Sequence, residues 1–124
     1  MNVIKSVLCT IRVSAFQPFK YKQYYQIYSG FRTYNLTQEQ VKVYVNNTIS
    51  AERMRLCKRA LTLGFSKEEL QELVDMNLNG YIFRYAVEGR LSGIPKEKVL
   101  EYSTTSMTPE ECFSIYIKLL KEHQ

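Results

Sequence analysis

A tandem repeat with a period of 29 residues constrains this chain more than any other feature. Ile49, Leu78 and Met107 open three repeats, and Ser50, Asn79 and Thr108 follow them. Apolar columns come next: Met54, Phe83 and Cys112, then Leu56 and Tyr85. Gly64 coincides with Gly93, Phe65 with Ile94, Leu70 with Val99 and Leu73 with Tyr102. An earlier, more divergent copy places Tyr25 in the Met54 column and Ile27 in the Leu56 column. Asn35 stands where the glycines stand, and Leu36, Val41 and Tyr44 complete the copy. The repeats are then about 20–48, 49–77, 78–106 and a half repeat, 107–124.

Each repeat reads as two helices. Ser50, Asn79 and Thr108 are residue types whose side-chain oxygens accept from unpaired N–H groups of a first helical turn. Thr108-Pro109-Glu110-Glu111 adds a proline at the first helical position and an acid three residues after the cap. Apolar residues recur at helical spacing in Met54, Cys57, Leu61 and in Phe83, Val87, Leu91. Asn35, Gly64 and Gly93 tolerate the left-handed conformation that ends many helices. Thr37 to Gln40 and Ser66 to Glu69 then fit a capping box, whereas Pro95 replaces the cap in the third repeat. The second helices are short, with Val41, Tyr44, Leu70, Leu73, Val74, Val99 and Tyr102 facing inward.

One helical hairpin of this size cannot bury its apolar stripe alone, but stacked copies can. The expected fold is all-α: a short α-solenoid of about three and a half two-helix repeats over residues 20–124. Residues 1–19 do not fit the repeat and are assigned as an N-terminal cap segment of undefined form. At 124 residues the chain is one domain's worth and can bury a core without metal or disulfide help. Cys9, Cys57 and Cys112 are odd in number and share no metal-ligand spacing with the lone His123, so they read as reduced thiols. Cys57 and Cys112 fall in apolar columns and read as small core residues. No segment has the length of apolar sequence that spans a bilayer. Arg12 interrupts the apolar run near the start, which reads as mature protein rather than a leader. A cytoplasmic location is expected.

The repeat resembles the tandem two-helix units carried by mobile-element and accessory-region proteins of Clostridia-type bacteria. Glu52 to Leu56, Leu63 to Glu68 and Leu70 to Asp75 carry the resemblance, and Gly93 to Glu97 and Val99 to Thr104 repeat it more loosely. The likeness covers about residues 20–124. Asn35, Pro95 and the Tyr-rich first repeat depart from the pattern. The resemblance implies an accessory role and carries no assigned chemistry.

Nothing in the sequence asks for an enzyme, a metal or a cofactor. No phosphate-binding glycine loop, nucleophile elbow or zinc-binding helix motif is present. The acid pairs Glu68-Glu69 and Glu110-Glu111 lie in first helical turns, where they suit the helix dipole. Function points instead to the first repeat. Residues 1–38 hold Lys5, Arg12, Lys20, Lys22 and Arg32 and no acid, so they carry the whole net charge of +5. Tyrosines crowd the same stretch, and a helix there has too many of them for one buried face. Lys20, Tyr21, Lys22, Tyr24, Tyr25, Tyr28 and Arg32 are therefore the candidate partner-binding residues.

A purely structural account makes these rings the seal of the solenoid's end. Two binding accounts stand beside it. Tyr and Arg are enriched at protein–protein hot spots, which favours a larger protein or protein complex as partner. Lys and Arg also neutralise phosphates while tyrosine faces stack on bases, which makes nucleic acid the alternative partner. The stronger expectation is a non-enzymatic protein-interaction module: a small accessory or inhibitory factor, for which a CRISPR-type defence nuclease complex is one conceivable target.

Overall fold

The computed structural model describes residues 19–123, and among them every regular element is helical. Seven helices follow one another: α1 (Tyr21–Arg32), α2 (Gln38–Lys42), α3 (Ala51–Thr62), α4 (Lys67–Asp75), α5 (Gly80–Leu91), α6 (Lys96–Tyr102) and α7 (Pro109–Glu122). The proposed cap segment lies outside the described residues apart from Phe19, which is buried. The chain divides into two compact units, 1–70 and 71–124, and the division falls within α4.

Local chemistry starts the helices where the sequence indicates. Thr37 and Gln40 form a reciprocal capping box: the Gln40 N–H donates to Thr37 Oγ1 at 3.1 Å and the Thr37 N–H to Gln40 Oε1 at 2.9 Å. Thr108 and Glu111 do the same for α7. Ser50 accepts from the Arg53 N–H, Ser66 from the Glu69 N–H and Asn79 from the Tyr81 N–H. Pro95 caps α6 with no side-chain bond. Each such cap satisfies an N–H that has no partner inside the helix.

The helices also stop by a common device. Gly64 has φ +113° and Gly93 φ +99°, and Asn35 takes φ +56°. After Gly64 the Phe65 N–H bonds back to the Ala60 carbonyl, and after Gly93 the Ile94 N–H bonds to the Gly89 carbonyl, both at 3.0 Å. The glycine N–H groups bond to Leu61 and Arg90 carbonyls, completing a Schellman motif twice. The apolar residue that follows each stop, Leu36, Phe65 or Ile94, is buried.

The first repeat is one residue longer at this point. Leu36 N–H reaches back six residues to the Gly30 carbonyl, where the other two turns reach back five. This breaks the gapless 29-residue alignment inside α1 and corrects the position assigned to Tyr25. Met54, Phe83 and Cys112 are fully buried, but Tyr25 is 54% exposed. With the one-residue offset, Ile27 matches the buried Cys57 and Ala86, and Gly30 matches Ala60 and Gly89.

In the N-terminal unit α1 packs on α2 and α3 around Ile27, Val41, Tyr44, Met54 and Cys57. In the C-terminal unit α5, α6 and α7 pack on one another around Phe83, Val87, Val99, Tyr102 and Cys112. Val74, expected inward, is half-buried. Each unit buries one tyrosine completely: Tyr44 donates its hydroxyl to the Gln26 carbonyl at 2.9 Å, and Tyr102 to the Tyr85 carbonyl at 2.7 Å. Those carbonyls lie on the opposing helix, so each tyrosine pins a short helix to its long partner. Gly30 and Gly89 make room for them, because a Cβ at either position would collide with the tyrosine hydroxyl.

Candidate functional site

Helix α1 buries only Gln23, Ile27, Ser29 and Gly30. The remaining residues of the helix point outward or lie at its margin because one stripe is all that α2 and α3 can cover. All seven candidate residues, Lys20, Tyr21, Lys22, Tyr24, Tyr25, Tyr28 and Arg32, are exposed. Tyr21 is the extreme at 84%. Tyr24 packs edge-on against Phe19, and the Arg32 guanidinium lies 5.7 Å from the Tyr28 ring centroid.

Four of these residues border two clefts, and Tyr24, Tyr28 and Arg32 line neither. Lys20, Tyr21 and Lys22 border one of about 530 Å³, closed on its other side by Asn47, Thr48 and Ser50. Gln23 fixes that geometry. Its amide nitrogen donates to the carbonyls of Asn47 at 3.0 Å and Ile49 at 2.8 Å, and its oxygen accepts from the Lys20 N–H at 2.7 Å. A buried glutamine with these bonds made ties the loop after α2 to the start of α1 at little net cost.

Tyr25 belongs to the other cleft, between α1 and α3, of about 520 Å³. Gln26, Tyr34, Arg55, Lys58 and Arg59 line it too. Lys58 is the unusual member. It is only 7% exposed, its ammonium donates to Ser29 Oγ at 3.0 Å, and it lies 4.7 Å from the Tyr34 ring centroid and 5.7 Å from that of Tyr25. Both rings are within cation–π reach. No carboxylate among the described residues pairs with it. Burial, and secondarily the neighbouring Arg55 charge, push its pKa below the ordinary lysine range. Gln26, which lines the same cleft, buries its Oε1 with no hydrogen-bond partner among the described residues.

Lys58, Arg55, Arg59 and Tyr34 are not among the candidate partner-binding residues read from the sequence. Two signals point to them. Residues 51–62 hold Arg53, Arg55, Lys58 and Arg59 against the single acid Glu52, a local excess hidden by the balanced total of residues 39–124. Lys58 also occupies a repeat column filled by Val87 and Tyr116, and a lysine in an inward column is anomalous.

The thiols and the histidine add no chemistry to this surface. Cys57 and Cys112 are buried and free, and burial pushes their thiols up to about 12 and about 11. Both are poor nucleophiles. Cys9 lies outside the described residues. His123 sits at the end of α7, its ring Nδ1 2.9 Å from the Leu119 carbonyl. No group of His, Cys, Asp or Glu among the described residues is arranged to hold a metal ion, and no described helix is long and apolar enough to cross a membrane.

No protein-family model matches the sequence, and no curated protein and no solved structure matches it either.

Proposed function

We propose that this chain is a non-enzymatic binding module, built as a short α-solenoid of two-helix repeats, whose partner is a larger protein or protein complex. The observation that carries this is the outward face of α1, where Tyr21, Tyr24, Tyr25 and Tyr28 stand exposed beside Lys20, Lys22 and Arg32. Large rings with polar tips next to long cations supply the area and hydrogen-bonding capacity of an interface hot spot. The solenoid rests on three helices that each end at a positive-φ residue, with a short second helix following. Because the repeats resemble those of mobile-element proteins, we place the module among cytoplasmic accessory or inhibitory factors. A CRISPR-type defence nuclease is the sort of machine such a factor would engage.

The test is affinity capture from a lysate of the native host, with and without nuclease treatment, read by mass spectrometry. The proposal expects a stoichiometric protein that survives nuclease and is lost with Lys20→Glu plus Lys22→Glu, at unchanged helicity. Capture that depends on intact nucleic acid would replace the protein interface by a nucleic-acid one. Capture unaffected by the charge reversal would leave the Tyr-rich helix a structural end cap.

A further inference from the structure

We propose that the cleft between α1 and α3 binds the phosphate of a nucleotide, with Lys58, Arg55 and Arg59 as its cationic wall. Three of the residues lining this cleft are cations and none is an acid. Arg55 shares its charge with Glu52 at 2.6 Å on its own helix. Lys58 has no such partner among the described residues. Its ammonium carries three donors, and Ser29 Oγ takes one. The Tyr25 and Tyr34 rings stabilise the charge but accept no strong hydrogen bond. A buried ammonium held this way is completed by an anion. A carboxylate carries one negative charge, whereas a phosphomonoester carries about 1.5 to 2 at neutral pH and offers three acceptor oxygens. The phosphate is the better match to the Lys58 donors that Ser29 leaves unused.

The cleft exceeds what a phosphate alone fills. Its volume of about 520 Å³ lies in the range of small-molecule sites, which run from about 300 to 1,000 Å³. One feature specifies the rest of the ligand. The Tyr25 ring, half exposed at the rim, offers an aromatic surface for a planar group. Phosphate and planar ring together describe a nucleotide, either free or as a unit of a single strand.

Calorimetric titration of the full chain with AMP, adenosine, inorganic phosphate and a short single-stranded oligodeoxyadenylate tests this. AMP is expected to bind once per chain, and adenosine at least about tenfold more weakly, as the loss of a charge-assisted contact implies. Arg59→Gln should weaken AMP by about tenfold or more. An oligonucleotide that binds more tightly than AMP, with log affinity falling linearly against log salt, identifies a polynucleotide as the source. Affinity no better than that of AMP identifies a free nucleotide.

Absence of saturable AMP and phosphate binding by the folded wild type overturns the proposal. So does wild-type affinity in both Arg59→Gln and Lys58→Met, or an acidic peptide binding in the cleft where AMP does not. Arg59 is only half-buried, so its variant gives a second reading of the cleft that leaves the core in place. The partner-capture test stands apart, because Lys20 and Lys22 border the other cleft.

Discussion

Lys58 Nζ lies 3.0 Å from Ser29 Oγ, and the two residues are separated in sequence by 29 positions. The bond joins α3 to α1 at the point where the packing would otherwise be apolar, since the equivalent of Lys58 in the next repeat is the fully buried Val87. A buried ammonium with no carboxylate partner is a net cost to folding. Rules of packing are broken in this way at places where function demands it.

Replacing this lysine should therefore help folding. Lys58→Met keeps the length of the side chain and removes the desolvated charge, and it should raise stability at pH 7 by about 1 kcal/mol or more. The native pKa of Lys58 lies below its unfolded value of about 10.4. Between the two, the unfolded chain binds more protons, so wild-type stability rises with pH through that window. The gap between variant and wild type should close as pH climbs toward 10.4, which paired urea titrations would record. A gap constant across that range would show that folding leaves the Lys58 pKa unshifted.

Tyr44 and Tyr102 have the opposite alkaline signature. Burial, reinforced by the neighbouring thiol in each case, drives their pKa values well above the ordinary phenol value. Above about pH 10 the unfolded chain releases protons that the native state keeps, so stability falls as pH rises. Tyr44→Phe should lose about 1 kcal/mol at neutral pH with its bond to the Gln26 carbonyl. It should also lose stability less steeply than wild type in strong alkali. Thermal melts of both proteins across the alkaline range decide this.

Gly30 and Gly89 are the companions of those tyrosines. Gly30→Ala forces a methyl against the Tyr44 hydroxyl, and Gly89→Ala does the same at Tyr102. Each should cost about 1–3 kcal/mol as overpacking. Removing the hydroxyl relieves the collision, so Gly30→Ala should be less harmful in a Tyr44→Phe background than in wild type. A double-mutant cycle in urea measures this coupling, and strict additivity would show that the collision is not the cause.

Gly64 tests the helix stop without any steric neighbour. Its φ is +113°, and a Cβ there would meet nothing within 4 Å. Gly64→Val should cost about 1 kcal/mol or more through backbone strain alone. Chemical denaturation would show it as a lowered midpoint at unchanged m-value. A neutral outcome would mean the turn can relax out of the left-handed region.

Much of the fold was legible from local chemistry. Thr37, Ser50, Ser66, Asn79 and Thr108 cap helices because a side-chain oxygen reaches an N–H two or three residues on, whatever the rest of the chain does. Asn35, Gly64 and Gly93 take positive φ because few other residue types do so cheaply. The width of the aromatic cluster alone required exposed tyrosines on α1. The extra residue before Asn35 was not legible, since a 29-residue step aligns the glycines and hides a one-residue offset upstream of them. Only the hydrogen bond from Leu36 to Gly30 reveals it, and with it why Tyr25 faces solvent.

By itself, then, the sequence determined the helices of residues 19–123, their starts and stops, and the Tyr-rich basic face of α1. Those properties depend on residues a few positions apart. The tertiary structure decided which cations converge. Arg55, Lys58 and Arg59 meet Tyr25, Gln26 and Tyr34 only because α3 packs on α1, bringing groups about thirty positions apart into one cleft. Burial, which governs the charge on Lys58 and leaves Gln26 Oε1 without a partner, belongs to the packed whole and has no counterpart in the linear chain.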